Sequence, residues 1–149
     1  MLDEKDLRIL EELGKNSRRS IAELADELQI PRSTIYNRIK KLERLDIIKT
    51  YKAIVDHEKL GRELTALVHI KITSKESAET IANDLKKLSY VDDIFLVTGQ
   101  YDIIVKARFE GTHELSEFIY EEKGLRDREG IERTESMIVL KTIKEYGLV

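Results

Sequence analysis

The residues best equipped for chemistry lie close together in IPRSTIYNRIKKLERL, residues 30–45. This stretch carries five Lys or Arg against one Glu, in a chain whose formal net charge is −3. Extended to residues 30–52, it holds seven basic and two acidic side chains, net +5. Ile35, Ile39, Leu42 and Leu45 recur at helical spacing. At about 100° per residue that stripe turns inward, and Ser33, Asn37, Lys40 and Arg44 crowd the opposite pole. Tyr36 and Lys41 flank this ridge, and Arg32 and Thr34 share its first turn. Arg38 lies at the edge of the apolar stripe, where its stem can pack while its charge reaches out. The ridge is hydrogen-bonding at its start and cationic further on. Asn can bond adenine at two atoms, and Ser can serve either base-pair type. Lys and Arg suit phosphates, which supply affinity without reading sequence. Arg18 and Arg19 before the preceding helix, with Lys49 and Lys52 after this one, extend the basic surface. A solvated charged face is the plainer reading of the same run.

The flanking pattern predicts what positions this helix. DLRILEELGK places Leu7, Leu10 and Leu13 on one helical face, with Gly14 as a stop. Ser20 and Glu23 form a capping-box pattern before Ile21, Leu24, Ala25 and Leu28. Pro31, the chain's one proline, opens the next helix after only Gln29 and Ile30. Two short helices so tightly joined describe a helix-turn-helix, whose second helix enters the major groove of DNA. DIIKTYKAIVD, rich in β-branched residues, predicts a small β-wing. The expected boundaries are a DNA-binding domain over 1–56, a polar linker over 57–63 and a second domain over 64–149.

Beyond the linker the period changes. LTALVHIKI alternates as a strand, SAETIANDLKKL reads as a helix, and VDDIFLVT and YDIIVKARF are strands split by Gly99-Gln100. HELSEFIYEE predicts a second helix and IERTESMIVLKTI a last strand. The order β-α-β-β-α-β is the ferredoxin-like unit, so the fold class is α+β. Two helices cover one sheet face, yet Ile104 and Phe95 alternate onto the other. A second copy of the same sheet is the simplest cover, as an isologous dimer.

Several function classes fall away. With no cysteine there is neither a disulfide framework nor a thiolate metal site. No run is long and apolar enough to span a membrane, and the charged N-terminus is unlike a signal peptide, so a cytoplasmic protein is expected. Three histidines, His57, His69 and His113, lack metal-ligand spacing. There is no Gly-rich phosphate loop and no defensible Ser/His/Asp set, so neither an enzyme nor a cofactor is expected. Charged residues reach 37%, a bias that suits the surface ion-pair networks of a thermophile.

The whole chain resembles the Lrp/AsnC, or feast/famine, transcription regulators. The resemblance rests on LDEKDLRILEEL, the AELADELQI…STIYNRIKKLE pair, IIKTYKAIVD…KLG, VTGQYDIIVKA and ERTESMIVLKTIKE. It implies an N-terminal winged helix-turn-helix, and a C-terminal ferredoxin-like domain that dimerises, often into tetramers or octamers. It further implies an amino-acid effector held between dimers by the glycine loop and the start of the last strand. In this sequence those are Thr98, Gly99, Gln100, Tyr101 and Asp102, with Thr134, Glu135 and Ser136. Glu135 is open to a second reading, as an exposed ion-pair partner of Arg133 or Lys106. The chain departs from the family where Gln29 replaces a usual glycine in the inter-helix turn, where Pro31 replaces a common serine, and where Asp46 replaces the glycine that commonly opens the wing. Siroheme decarboxylases resemble the same family and are the alternative.

Overall fold

Asp3 starts the first helix through a reciprocal cap. Its carboxylate accepts the Asp6 N–H at 3.0 Å, and the Asp6 carboxylate accepts the Asp3 N–H at 3.1 Å. The computed structural model describes residues 1–73, 75–122 and 124–147. Helix α1 spans Glu4–Lys15, α2 spans Ile21–Leu28 and α3 spans Arg32–Arg44. Ser20 and Glu23 cap α2 as the sequence predicts. Ile9 and Leu10 of α1, Leu24, Ala25 and Leu28 of α2, and Ile35 and Leu42 of α3 form one core with Ile30.

Two details of the helical phase differ from expectation. In α1 the buried face runs through Asp6, Ile9 and Leu10, while Leu7 is 49% exposed. A carboxylate thus occupies a position on the apolar face. Leu45, expected inward, is exposed because α3 ends at Arg44 and Leu45 leaves the helical track as its C-cap.

Both glycine replacements fall on left-handed backbone. Gln29 has φ +55° and Asp46 has φ +54°. At Gln29 the chain leaves α2, and the Ala25 carbonyl accepts the Ile30 N–H at 3.1 Å. At Asp46 it leaves α3, and the Leu42 carbonyl accepts the N–H groups of Ile47 and Ile48. Such helix ends favour glycine because a Cβ crowds the carbonyl there.

The β-wing is a correction. Among the described residues there is no strand between α3 and Leu64; residues 49–56 run extended without a ladder. A wing needs two paired strands and a turn, and DIIKTYKAIVD has no Gly, Pro or Asn to make one.

The second half forms a four-stranded antiparallel sheet. Its strands are β1 (Leu64–Ile72), β2 (Val91–Leu96), β3 (Ile103–Phe109) and β4 (Ile131–Ile138), in the order β2-β3-β1-β4. Helices α4 (Lys75–Leu85) and α5 (Thr112–Tyr120) connect them in the ferredoxin-like sequence. Ala66, Val68, Ile70, Ile103, Val105, Ala107 and Phe109 face the helices and pack on Ile81, Leu85, Leu115, Phe118 and Ile119. The alternation puts Phe95 opposite Ile104 on the other face, where Phe95 is 54% exposed.

The chain divides into two compact units, Met1–Ile54 with Ile143–Val149, and Val55–Thr142. By contacts, residues 143–147 group with the first unit. β4 stops at Ile138, and the Val139 N–H just beyond it still donates to the Thr65 carbonyl of β1 at 2.9 Å.

Candidate functional site

Helix α3 separates its residues by burial. Ile35 and Leu42 are fully buried. Arg32, Ser33, Tyr36, Asn37, Lys40 and Arg44 are exposed, and Thr34 is half-buried. The ridge drawn by helical angle therefore exists as a surface. Its cations differ in their partners. Lys40 lies 3.2 Å from the Glu43 carboxylate one turn on, and 5.7 Å from the Tyr36 ring centroid. The Tyr51 hydroxyl donates to the same Glu43 at 3.0 Å.

Arg38 and Lys41 are held differently. Arg38 donates to Asp3 at 2.5 Å and to Asp6 at 3.0 Å. Lys41 donates to Asp6 at 2.9 Å. Asp6 has no exposure, so one buried carboxylate holds two cations of α3. Hydrogen bonding from the Arg38 guanidinium, helped by the Asp6 N–H, lowers the Asp3 pKa to about 2. For Asp6 burial raises the pKa, but hydrogen bonds from Lys41, the Asp3 N–H and Arg38 outweigh it, and the net direction is down. Both groups are carboxylates at neutral pH. Arg18 is exposed, whereas Arg19 is clasped between Glu12 at 2.5 Å and Glu27 at 2.6 Å. Sequence reasoning missed Asp3 and Asp6. The available signal was an acidic residue at a position where the helical period calls for an apolar one.

In the second unit the loop of residues 97–102 closes with the Val97 N–H donating to the Asp102 carbonyl at 2.9 Å. Gly99 has φ +108°, which a side chain would strain, and a Cβ there would meet open space. Thr98, Gly99 and Gln100 are exposed; Tyr101 and Asp102 are half-buried. Asp102 accepts the Ile72 N–H at 2.9 Å and lies 3.4 Å from the Lys71 ammonium. The Tyr101 hydroxyl donates to the Glu135 carboxylate, and this hydrogen bond raises the tyrosine pKa. Arg133 stacks over the Tyr101 ring at 5.2 Å, and the His69 ring meets its edge at 5.2 Å.

The structure thus brings Tyr101 and Glu135 together. It does not bring Thr134 and Ser136 to them. In register Glu135 pairs with His69, but Thr134 and Ser136 pair with the buried Ile70 and Val68, so they point to the opposite face of the sheet. Lys71, His69 and Arg133 contact Asp102 or Tyr101 of the loop, a placement the sequence did not give. Each is distant in the chain and arrives only through strand pairing. Among the described residues no group of three or more His, Cys, Asp or Glu could hold a metal, and no helix is long and apolar enough to cross a membrane.

Known proteins share both halves. Residues 2–43 match the AsnC-type helix-turn-helix domain, and residues 65–149 match the Lrp/AsnC ligand binding domain. The chain belongs to the Lrp/AsnC family of transcriptional regulators. An HTH-type transcriptional regulator of Pyrococcus abyssi is 40% identical over 145 residues, covering 97% of this chain and 96% of that one. Among solved structures, a transcriptional regulator of Neisseria meningitidis in complex with L-Met superposes with a TM-score of 0.91 at 29% identity, covering 97% of this chain and 94% of that one. AsnC of Escherichia coli gives 0.88 at 26% identity, covering 97% and 96%. These Lrp/AsnC relatives are regulators and not enzymes, which removes the siroheme decarboxylase alternative.

Proposed function

We propose that this Lrp/AsnC regulator reads DNA with α3 and is modulated by an amino acid bound at the loop of residues 98–102. The observation that carries the first part is the exposed ridge of α3, polar at Ser33, Tyr36 and Asn37 and cationic at Lys40 and Arg44, on a helix whose other face is buried. Ser33, Tyr36 and Asn37 meet base edges near the helix N-terminus, where a recognition helix enters the major groove. Arg32, Lys40 and Arg44 meet phosphates, with Arg18 adding to them from the turn before α2. Two copies pair through the open sheet face carrying Phe95 and Ile104, which presents two recognition helices to successive major grooves about 34 Å apart. Tetramers or octamers of such dimers would bend several half-sites around one assembly.

The effector reading is supported by the Neisseria relative, which was crystallised with L-Met. Backbone N–H groups beside Gly99 suit an α-carboxylate. Asp102 offers the complementary charge to an α-ammonium. Glu135 and Tyr101 border the same loop. Binding between dimers would couple effector to DNA only by favouring one assembly over another.

The deciding experiment selects a binding site from random duplexes and then compares it with single-base variants. Asn37→Ala should lose discrimination at one position, by about 1–3 kcal/mol, while keeping the salt dependence. Uniform preference retained at every position removes Asn37 from base reading. A thermal-shift screen of the twenty amino acids tests the effector, since a ligand of the native state raises the melting temperature. A flat screen removes it.

A further inference from the structure

Seven basic residues on or just before α2 and α3 look alike in the sequence: Arg18, Arg19, Arg32, Arg38, Lys40, Lys41 and Arg44. Their surroundings are not alike. Lys40 pairs with Glu43, an exposed contact within one helical turn. Such pairs contribute little, and Glu43 keeps the Tyr51 hydroxyl if Lys40 leaves. A DNA phosphate can therefore take Lys40 at small cost. Lys41 and Arg38 end on Asp6, which has no exposure. Water cannot replace them there. Moving Lys41 to a phosphate would strand a buried carboxylate short of one of its cations, which is strongly unfavourable. Asp3 adds a second carboxylate to Arg38, so the quartet is neutral: two carboxylates against two cations.

We propose that Asp3 and Asp6 are internal competitors for phosphate that withhold Arg38 and Lys41 from DNA, and so set how steeply binding depends on salt. This rests on the DNA-binding reading of α3. The α1 N-terminus removes two cations from the non-specific electrostatic term while Ser33, Tyr36 and Asn37 stay available for bases. Phosphates are common to specific and random sites, so the withheld pair lowers affinity for both and makes both less steeply dependent on salt. Asp3 and Asp6 therefore set the electrostatic share of DNA binding without touching a base.

The test measures binding of the full-length protein to a random-sequence duplex by fluorescence anisotropy between 50 and 200 mM salt. Asp6→Asn should steepen the slope of log K against log salt by about 0.9 for the released Lys41. Affinity for the random duplex at 50 mM salt should rise, and Lys41→Ala added to Asp6→Asn should reverse both changes. A merely structural role for Asp6 would tilt α3 and weaken binding instead. Asp3→Asn, at the exposed carboxylate, is made in parallel. Asp6 still holds Arg38 there, so Asp3→Asn should steepen the slope by less than Asp6→Asn does, be reversed by Arg38→Ala, and carry the test alone where Asp6→Asn fails to fold. Folded variants whose slopes are unchanged or shallower overturn the inference. A wild-type protein that fails to bind the duplex overturns the DNA reading and this inference with it. A wild type that binds, with variants of the same slope, overturns this inference alone.

Discussion

Replacing Lys40 and Arg44 by Ala removes two exposed cations from the pole of α3 opposite its buried stripe. Neither belongs to the apolar core, where Ile35 and Leu42 anchor the helix. Lys40 gives up only an exposed pair with Glu43 and a contact with the Tyr36 ring. Folding stability should therefore change by less than about 0.5 kcal/mol. Each lost phosphate contact lowers the salt slope by about 0.9, so the double variant should be shallower by about 1.8 per recognition helix. Over a fourfold rise in salt, from about 50 to about 200 mM, the wild type should then lose about 12-fold more affinity than the variant. Anisotropy titrations on one duplex at four or five salt concentrations read this directly. The loss should be the same for specific and random duplexes, since phosphates are common to both. A variant that binds more weakly with the wild-type slope would refute the reasoning. It would mean that Lys40 and Arg44 act on the shape of the domain rather than on phosphates.

Other expectations follow from single contacts. Asp102→Ala should remove amino-acid binding in calorimetry. It should also lower the melting temperature, because its carboxylate holds the Ile72 N–H of β1, a charged hydrogen bond of about 1.5–3 kcal/mol; an unchanged melting temperature would show that the strand does not need it. Gln29→Gly should stabilise the protein by up to about 1 kcal/mol, by relieving a left-handed glutamine at some cost in chain entropy. Asp46→Gly should give less, since Asp tolerates that conformation better; the reverse order in urea midpoints would argue against backbone strain as the cause. The lowered pKa of Asp3 means that its contribution is present above the unfolded value near 3.8 and lost as pH falls toward about 2, and the lowered pKa of Asp6 acts in the same direction. Urea midpoints of the wild type should therefore fall between pH 4 and pH 2, and Asp3→Asn should flatten that decline; a variant with the same decline would clear Asp3 of the effect.

The sequence by itself determined the element order, the two-part layout and the exposed polar and cationic ridge of α3. These are written in local periods: 3.6 residues through Ile35, Ile39 and Leu42, and two residues through Ala66, Val68 and Ile70. Capping followed too, because Ser20 and Glu23 act within one turn. The wing was misread because β-branched content signals extended backbone and cannot supply a pairing partner. The tertiary structure decided which cations remain available. Lys40 and Lys41 are neighbours in the chain, yet one faces solvent and the other is bound to a buried carboxylate 35 positions earlier. It also decided that Tyr101 meets Glu135, while Thr134 and Ser136 turn to the other face. Charge pairing and strand register depend on what lies across a fold, and the energy of a charge depends on whether water can reach its partner. Neither quantity is carried by spacing along the chain.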